Sequence, residues 1–550
     1  MFIIRPKVNN TLGRYFMNKN TGFRIIICFS LIIALFFCCI TRIFVINGSD
    51  YLSAAAQNNT YKFTLSKLRR TIFDSNMQPL TNSKTKIMAV FTPCESAVLA
   101  TSNIKNSVDK ERVLKSLKNG EPAVAEVNES IEAFGVYCSE IYINTPSNLL
   151  CPQLIGYLDS DGHGVTGLQK QYDELLYTEI NHSVALAIDA KGRVLSGEDV
   201  YENFDESVIN SGLALSINSD IQALTLSAMQ NVSSGAAVIT EIGTGKIRAM
   251  VSVPEFTADS VADYLNSENS PLLNKCIMGY NVGSVFKPCV AAAALEKSGF
   301  ESFSVNCVGS NNIAGHIFKC HKLSGHGVTN MKNALAFSCN SFFYNISVGL
   351  GADTVYNMAS SLGFGNNHEI AQGISLGGSL TQIDELRNNE RTLVNLSIGQ
   401  GKLLLSPVSL LSLYEAIANG GVYYQQTVVE GEVVNGVVYK GSDPTPIRVM
   451  SAETADILKE YLASVIEYGT GTAARPTLTT AAGKTATAET GWQKNGVLIK
   501  NSWFCGFFPK ETPKYAVAIL IEDSKGGDDV AAPVFAKIAD SVTLLENSKK

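Results

Sequence analysis

Features that would assign a chain to a specialised class are scarce in this sequence. The 550 residues include only 12 cysteines, too few for a disulfide-stapled scaffold of this length. Positive charge is not in excess, since the formal net charge is −6, and this argues against a nucleic-acid-binding role. No internal repeat is visible. The length and a hydrophobic content of 45% therefore describe a globular chain of more than one domain that carries an apolar segment.

Acidic residues are absent before Asp50, and the charges of the first 24 residues are all basic: Arg5, Lys7, Arg14, Lys19 and Arg24. Residues 25–40 are uncharged, and 43–46 continue the apolar run past Arg42, whose side chain can snorkel to the interface. Together they approach the roughly 20 residues that a membrane helix needs. The pattern predicts a cytoplasmic basic tail at 1–24 and a single-pass transmembrane signal anchor at 25–46, with the remainder outside the cell. A signal peptide cleaved near residues 54–56 (Ala-Ala-Ala) is the competing interpretation.

Ser284 and Lys287 stand three positions apart in the stretch 283–288 (Gly-Ser-Val-Phe-Lys-Pro). On a helix these two residues share a face, and a desolvated lysine there could take the proton of the serine and create a nucleophile. Residues 289–296 are mostly apolar and helix-forming, so Ser284 is expected at the start of a buried helix, whose dipole favours negative charge. Taken alone, the pattern is better explained by a helix N-cap serine beside a surface lysine.

Two further motifs follow in a fixed order. Residues 338–340 give Ser-Cys-Asn, and residues 484–487 give Lys-Thr-Ala-Thr. The order Ser-x-x-Lys, Ser-x-Asn, Lys-Thr-x is the signature set of penicillin-binding proteins and serine β-lactamases. The segments 280–288, 334–340, 397–401, 418–421 and 503–509 also resemble class B penicillin-binding proteins. The chain is therefore similar to that family from the membrane segment to near its C-terminus.

The resemblance implies an α+β fold with a penicillin-binding transpeptidase domain, an antiparallel sheet with a helical lobe, at 206–550. An elongated N-terminal pedestal would occupy 47–205. In that region, residues 69–76 and 164–173 resemble family segments, although a glutamate more often stands at Gln169. The pattern predicts a strand at 87–91 and a helix at 108–117 with Ser107 as its N-cap. It also predicts hairpin strands at 235–240 and 247–252, a buried strand at 515–521 and a final helix at 534–545.

The resemblance also implies the chemistry. Ser284 would attack the penultimate carbonyl of a D-alanyl-D-alanine stem peptide, and an amine of a neighbouring stem would resolve the acyl-enzyme. Lys287 is the candidate general base, and Ser338 would relay protons between Lys287, the leaving amine and Lys484. Asn340 would hold the substrate amide. Lys484, Thr485 and Thr487 would bind the terminal carboxylate, and the N–H groups of Ser284 and Thr487 would form the oxyanion hole. No cofactor is expected.

Ala486 departs from the family pattern, in which glycine is expected. Glycine in an edge strand lets another backbone approach closely. An added methyl group could therefore crowd the substrate or a bulky β-lactam, although its Cβ could also point away from the bound peptide. The sequence predicts a working enzyme in which Ala486→Gly speeds acylation by large β-lactams.

Cysteine and histidine are concentrated at Cys307, His316, Cys320, His321 and His326. Three interpretations stay open. The family loop that this segment resembles often carries two cysteines, which favours an extracellular Cys307–Cys320 disulfide or two free thiols on facing strands. A zinc site ranks third, because no tight Cys-x-x-Cys pair is present, and no metal is assigned. Cys339 is expected to be packed rather than reactive.

The main functional prediction is a membrane-anchored D,D-transpeptidase that binds β-lactams. A serine β-lactamase or a D,D-carboxypeptidase is the alternative among enzymes, but no Glu-x-x-x-Asn element is evident that could activate water for deacylation. A non-catalytic β-lactam-binding scaffold, or an activator of a membrane glycosyltransferase, is the alternative from another class. The chain has no room for a glycosyltransferase domain of its own, so the resemblance implies a polytopic glycosyltransferase as partner. Elongation, division and sporulation relatives share these motifs.

Overall fold

The computed structural model describes residues 19–48, 60–189, 193–195, 200–366, 368–494, 496–523 and 530–549. They form two compact units. The smaller comprises the described residues up to Leu65, Ile87–Ser139 and Ser183–Asn203, and the larger comprises Ser66–Lys86, Glu140–His182 and the chain from Phe204 onward. Parts of the predicted pedestal lie in both units, so the ranges 47–205 and 206–550 stay predictions about domains.

The first helix, Lys19–Gly48, contains the predicted anchor at 25–46. The span Gly22–Phe44 is long and apolar enough to cross a membrane, with a mean hydropathy of 2.8, and no part of it is buried inside the protein. Residues 1–18 of the predicted basic tail, and the alanines at 54–56, lie outside the described residues.

A three-stranded sheet, most of whose residues belong to the smaller unit, has Lys84–Phe91 between Ala123–Val127 and Val136–Ile143. Ile87 pairs with Val127 and Phe91 with Ala123, which confirms the predicted strand. The predicted helix is present as Ser107–Lys118, but its N-cap is Asn106 rather than Ser107. The side chain of Asn106 accepts a hydrogen bond from the Val108 N–H at 2.9 Å, and Ser107 is already helical. Glu95–Ala100 and Thr101–Asn103 are further helical elements among the described residues of this unit.

The larger unit is built on a five-stranded antiparallel sheet. The strands lie in the order Lys246–Val253, Gly235–Glu241, Tyr515–Ile521, Val497–Phe508 and Ala482–Lys494. Both predicted hairpin strands and the predicted strand 515–521 are confirmed. The final helix, Ala531–Ser548, extends beyond the predicted 534–545 and packs with Ser219–Met229 on one face of the sheet. The strand that carries the Lys-Thr-Ala-Thr motif is an edge strand of this sheet among the described residues, and an edge strand can pair with an added peptide.

A helical lobe covers the other face, and its buried residues join those of the sheet in one large core. This arrangement confirms the predicted sheet and lobe. The other helices of the larger unit, including 3-10 turns, are Pro152–Ile155, Gly167–Gln171, Asp173–Leu176, Glu206–Ile209, Ala258–Tyr264, Gly283–Phe286, Lys287–Leu295, Met331–Ala336, Asn340–Leu350, Ala352–Ser361, Ile383–Asn388, Glu390–Ser397, Pro407–Ala418, Ala452–Glu467 and Thr472–Ala474.

The remaining strands are short or lie outside the central sheet. They are Thr60–Arg69, Thr71–Phe73, Tyr177–Ala187, Val200–Asn203, Gly212–Leu215, Ser304–Cys307, Ser310–Ile313, His316–Lys319, Gly327–Asn330, Glu369–Ala371, Ile374–Ser375, Gly378–Ser379, Leu404–Leu405, Val422–Tyr424, Val429–Val434, Val437–Lys440 and Pro446–Arg448.

A buried arginine explains how the chain accepts glutamine where the family more often has glutamate. The Nε of Arg69 donates to Gln169 Oε1 at 2.7 Å, and its Nη2 donates to Asp173 Oδ1 at 2.8 Å. Both Arg69 and Gln169 are buried. Because Asp173 already supplies the compensating carboxylate, a neutral amide at position 169 satisfies the remaining donor without a second negative charge.

Candidate active site

Ser284 lies in a 3-10 turn, Gly283–Phe286, that leads into the buried helix Lys287–Leu295. The helix therefore begins one turn later than the sequence indicated. Pro288 occupies its first turn, where a missing N–H is tolerated. In a 3-10 turn residues i and i+3 eclipse, so Ser284 and Lys287 still point to one side, as the spacing predicted.

Lys287 is fully buried and donates to three oxygens. Its Nζ lies 2.8 Å from the Ser338 carbonyl oxygen, 3.1 Å from Ser338 Oγ and 2.6 Å from Asn340 Oδ1. All three acceptors are neutral, so none offsets the removal of the ammonium from water. Burial accordingly lowers the pKa of Lys287 to about 7, with Cys339 and Cys320 acting in the opposite direction. A substantial share of the side chain is therefore the neutral amine near pH 7.

Ser338 connects the lysine to the candidate nucleophile. It lies between the helices Met331–Ala336 and Asn340–Leu350, and its φ of +56° is unusual for a residue other than glycine. Its hydroxyl donates to Ser284 Oγ at 3.0 Å while it accepts from Lys287. The hydrogen-bonded path from Ser284 to Lys287 thus passes through Ser338. The first two motifs, separated in sequence, meet here as predicted.

The third motif lies on the edge strand Ala482–Lys494. Lys484 is buried, and its Nζ donates to the Thr485 carbonyl at 3.0 Å. Thr487, which is half-buried, pairs with Ser502 of the neighbouring strand. The strand packs against the turn that carries Ser284. The relay from Ser338 to Lys484 stays a prediction.

Ala486 directs its methyl group at the nucleophile turn. The residue is only 4% exposed. A Cβ built on Gly283 would lie 3.5 Å from the Cβ of Ala486 and 3.3 Å from the Cβ of Ala488. The absence of a side chain at Gly283, whose φ is +61°, therefore gives both methyl groups their space. The methyl of Ala486 fills the interior behind the edge strand.

The segment 397–401 is the second support of the turn. The Gly283 N–H donates to the Gly399 carbonyl at 2.9 Å. A Cβ on Gly399 would lie 2.0 Å from the Gly283 carbonyl oxygen, so only glycine allows this approach. The indole of Trp503 donates to the Asn281 carbonyl at 3.1 Å. These contacts explain why two of the flanking segments accompany the catalytic motifs.

Thr470 is a site residue that the sequence reasoning missed. Its hydroxyl lies 2.8 Å from that of Thr485, and its N–H donates to the Ala336 carbonyl at 2.9 Å. It therefore positions Thr485 against the helix that precedes Ser338. The flanking glycines, Gly469 and Gly471, were the available signal, because they mark a tight turn close to other backbone.

The cysteines of the loop between the first two motifs are free thiols, and Cys307, Cys320 and Cys339 are all buried. Of the interpretations that the sequence left open, the Cys307–Cys320 disulfide is not formed in this structure, and both cysteines are free thiols. The packing expected for Cys339 is confirmed by its complete burial.

Comparison with known proteins places this constellation in a family. The family described as "Penicillin binding protein transpeptidase domain" matches residues 235–540. The chain belongs to this family. The match spans all three motifs.

Curated relatives extend the similarity over most of the chain. Stage V sporulation protein D of Bacillus subtilis is 28% identical over 508 residues, which cover 87% of this chain and 76% of that protein. Peptidoglycan D,D-transpeptidase FtsI of Escherichia coli is 24% identical over 457 residues, which cover 80% and 74%. The class B resemblance drawn from the motifs is thereby confirmed.

Solved structures confirm the penicillin-binding protein fold. Penicillin-binding protein PBP2 of Helicobacter pylori superposes with a TM-score of 0.68 at 19% identity and covers 88% of this chain and 99% of its own. Penicillin-binding protein 3 of Mycobacterium tuberculosis, solved with aztreonam, gives a TM-score of 0.64 at 22% identity and covers 88% and 97%.

The buried position of Ala486 leads to a prediction about bulky inhibitors. Because the methyl faces Gly283 and not the free edge, Ala486→Gly should lower the free energy of unfolding by about 0.5–1 kcal/mol without speeding acylation by large β-lactams. Thermal melts and acylation rates for a small and a bulky β-lactam test this. Ala488→Gly is the matched control, since its methyl has the same neighbour. An acceleration confined to Ala486→Gly and to the bulky compound would restore the crowding hypothesis.

Proposed function

We propose that the chain is a serine-type peptidoglycan D,D-transpeptidase that crosslinks stem peptides in bacterial cell-wall synthesis. The observation that carries this proposal is the line Ser284–Ser338–Lys287, in which a buried lysine with a pKa of about 7 is hydrogen-bonded, through one hydroxyl, to a candidate nucleophile. The relatives named peptidoglycan D,D-transpeptidase, FtsI and MrdA, support the reaction class.

Acylation follows from this geometry. Once Lys287 is neutral, the hydroxyl hydrogens turn so that Ser284 donates to Ser338 and Ser338 donates to Lys287. Ser284 Oγ then attacks the penultimate D-alanine carbonyl and forms the C–O bond, while its proton passes to Ser338 and the proton of Ser338 passes to Lys287. A base with a pKa near the working pH suits this step. The N–H groups of Ser284 and Thr487 stabilise the oxyanion, and each such donor is worth about 10²–10³ in rate. The C–N bond then breaks, and the terminal D-alanine leaves with a proton returned through Ser338.

The second half reverses the proton flow. An amine from a neighbouring stem attacks the ester carbonyl, loses its proton through Ser338, and releases Ser284 as the crosslinking amide forms. Asn340 holds the substrate amide, although in the free protein its Oδ1 is engaged by Lys287. Lys484, Thr485 and Thr487 bind the terminal carboxylate along the edge strand, where Thr470 fixes the Thr485 hydroxyl.

A non-catalytic β-lactam-binding scaffold is the second candidate, and a serine β-lactamase or D,D-carboxypeptidase is the third. The intact hydrogen-bonded path from Ser284 to Lys287 favours an enzyme over a scaffold, because a scaffold needs no depressed lysine pKa. The relatives with transpeptidase names favour acyl transfer to an amine over hydrolysis. The lifetime of the acyl-enzyme formed with a β-lactam distinguishes a β-lactamase from a transpeptidase.

Incubation of the full chain with benzylpenicillin should give a stable adduct on Ser284. Intact-mass spectrometry should show one added drug molecule on the parent and none on Ser284→Ala, because the acyl ester forms only on that hydroxyl. Ser341→Ala is a matched control in the same site region. Rapid drug hydrolysis without a lasting adduct would indicate a β-lactamase, and neither adduct nor hydrolysis would indicate a scaffold that is not acylated at Ser284.

The pH dependence of acylation should report the state of Lys287. Its pKa is lowered by burial to about 7, so the neutral base exists above that pH and the ammonium below it. The acylation rate constant should therefore fall about tenfold for each pH unit below the pKa and level off above it. Stopped-flow measurements with a chromogenic β-lactam test this. A rate that is flat across the range, or that falls as the pH rises, would contradict Lys287 as the base.

The apolar helix indicates a membrane anchor. We further propose that the N-terminus is cytoplasmic and the catalytic domain extracellular, because basic residues precede the helix. External protease should then degrade the catalytic domain in intact protoplasts, and protection from it would contradict this topology.

A polytopic membrane glycosyltransferase is the proposed partner, and failure of the full chain to co-purify with one would count against it.

A further inference from the structure

Three thiols and one imidazole converge beside the second motif. One ligand atom from each of Cys307, Cys320, His326 and Cys339 lies within 4.8 Å of every other. The three cysteines are buried and His326 is half-buried. The residues come from separate places: the end of the strand Ser304–Cys307, the positions after His316–Lys319 and before Gly327–Asn330, and the N-cap of the helix Asn340–Leu350.

The distances from the His326 nitrogen to two of the sulfurs match a tetrahedral metal site. With Zn–S bonds of about 2.3 Å and Zn–N bonds of about 2.0–2.1 Å, a tetrahedron places sulfur and nitrogen about 3.5–3.6 Å apart. The Nδ1 of His326 lies 3.6 Å from Cys307 Sγ and 3.6 Å from Cys320 Sγ. The Sγ of Cys339 lies within 4.8 Å of each of these three atoms, which brings the third sulfur to the same point.

The two other interpretations of this loop leave part of the arrangement unexplained. A Cys307–Cys320 disulfide uses two of the three sulfurs. It gives no role to Cys339 or to the imidazole of His326. Thiols that only fill space need no imidazole nitrogen at equal distance from two of them. A zinc site was the third interpretation of the sequence because no Cys-x-x-Cys pair is present. What it could not show is that Cys339, in the second motif itself, supplies a further ligand.

We propose that Cys307, Cys320, His326 and Cys339 bind one structural zinc ion. Three thiolates and one imidazole are a ligand set that selects zinc, and four protein ligands leave no open position for catalysis. The ion would hold the second motif in place through Cys339. This residue stands between Ser338 and Asn340, the two residues that contact Lys287. It takes no part in acyl transfer.

The metal content of the full chain tests the proposal. Protein purified in detergent under reducing conditions, without immobilised-metal chromatography, should hold about one zinc per chain by plasma mass spectrometry. Replacement by Co²⁺ should give the strong thiolate-to-cobalt charge-transfer absorption of a tetrahedral thiolate site. His326→Ala and Cys320→Ser should lose the metal. His321→Ala and Cys138→Ser, which change the same residue types outside the four ligands, should retain it.

Chelation of the parent protein decides the question even if the ligand variants fail to fold. Removal of zinc should lower the melting temperature, and zinc added back should restore it. A slower acylation of the zinc-free protein is also expected, but this readout rests on the proposed function, whereas the metal content does not. Absence of bound zinc in reduced protein that has been incubated with Zn²⁺ would overturn the proposal. So would a Cys307–Cys320 disulfide, found by thiol alkylation, in protein kept free of air.

Discussion

The burial of the Lys287 ammonium is the constraint on which the site depends. A lysine held among neutral oxygens is costly to charge, and this cost is what makes the side chain available as a base near neutrality. The same burial requires that every donor of Nζ has an acceptor, and the second motif supplies them from one carbonyl, one hydroxyl and one amide. The left-handed backbone of Ser338 allows its carbonyl and its hydroxyl to face Lys287 together. The lowered pKa of Lys287 and the strained backbone of Ser338 therefore depend on the same set of contacts.

The third motif meets this arrangement through backbone and small side chains. The edge strand Ala482–Lys494 lies against the nucleophile turn, and Gly283 and Gly399 bring three segments closer than side chains would permit. Thr470 connects the edge strand to the helix Met331–Ala336, because it hydrogen-bonds to both the Thr485 hydroxyl and the Ala336 carbonyl. The site is therefore held by rigid elements, with its polar groups placed before any substrate arrives.

Much of the catalytic domain could be predicted from the sequence. The hairpin, the strand at 515–521 and the final helix each show a clear local pattern. The motif residues can be recognised from residue type and spacing. Local choices were harder: Asn106 and Ser107 are both good caps, and the backbone decides between them.

The details of the site that could not be predicted from the sequence depend on contacts between residues that lie far apart in the chain. The contact of Thr470 with Thr485, and the meeting of Cys339 with Cys307 and Cys320, follow from how strands and helices pack. The direction of the Ala486 methyl follows from the register of the edge strand, where a shift by one residue reverses every side chain. No local pattern carries this information.

The contact of Gly283 with Ala486 also has an evolutionary meaning. A Cβ at 283 would lie at an ordinary contact distance of 3.5 Å from the Ala486 methyl and at a tighter 3.3 Å from the Ala488 methyl. The positive φ of Gly283 disfavours a side chain there whichever residue occupies 486. Position 486 can therefore change between alanine and glycine in descendants of this protein, whereas position 283 is expected to remain glycine.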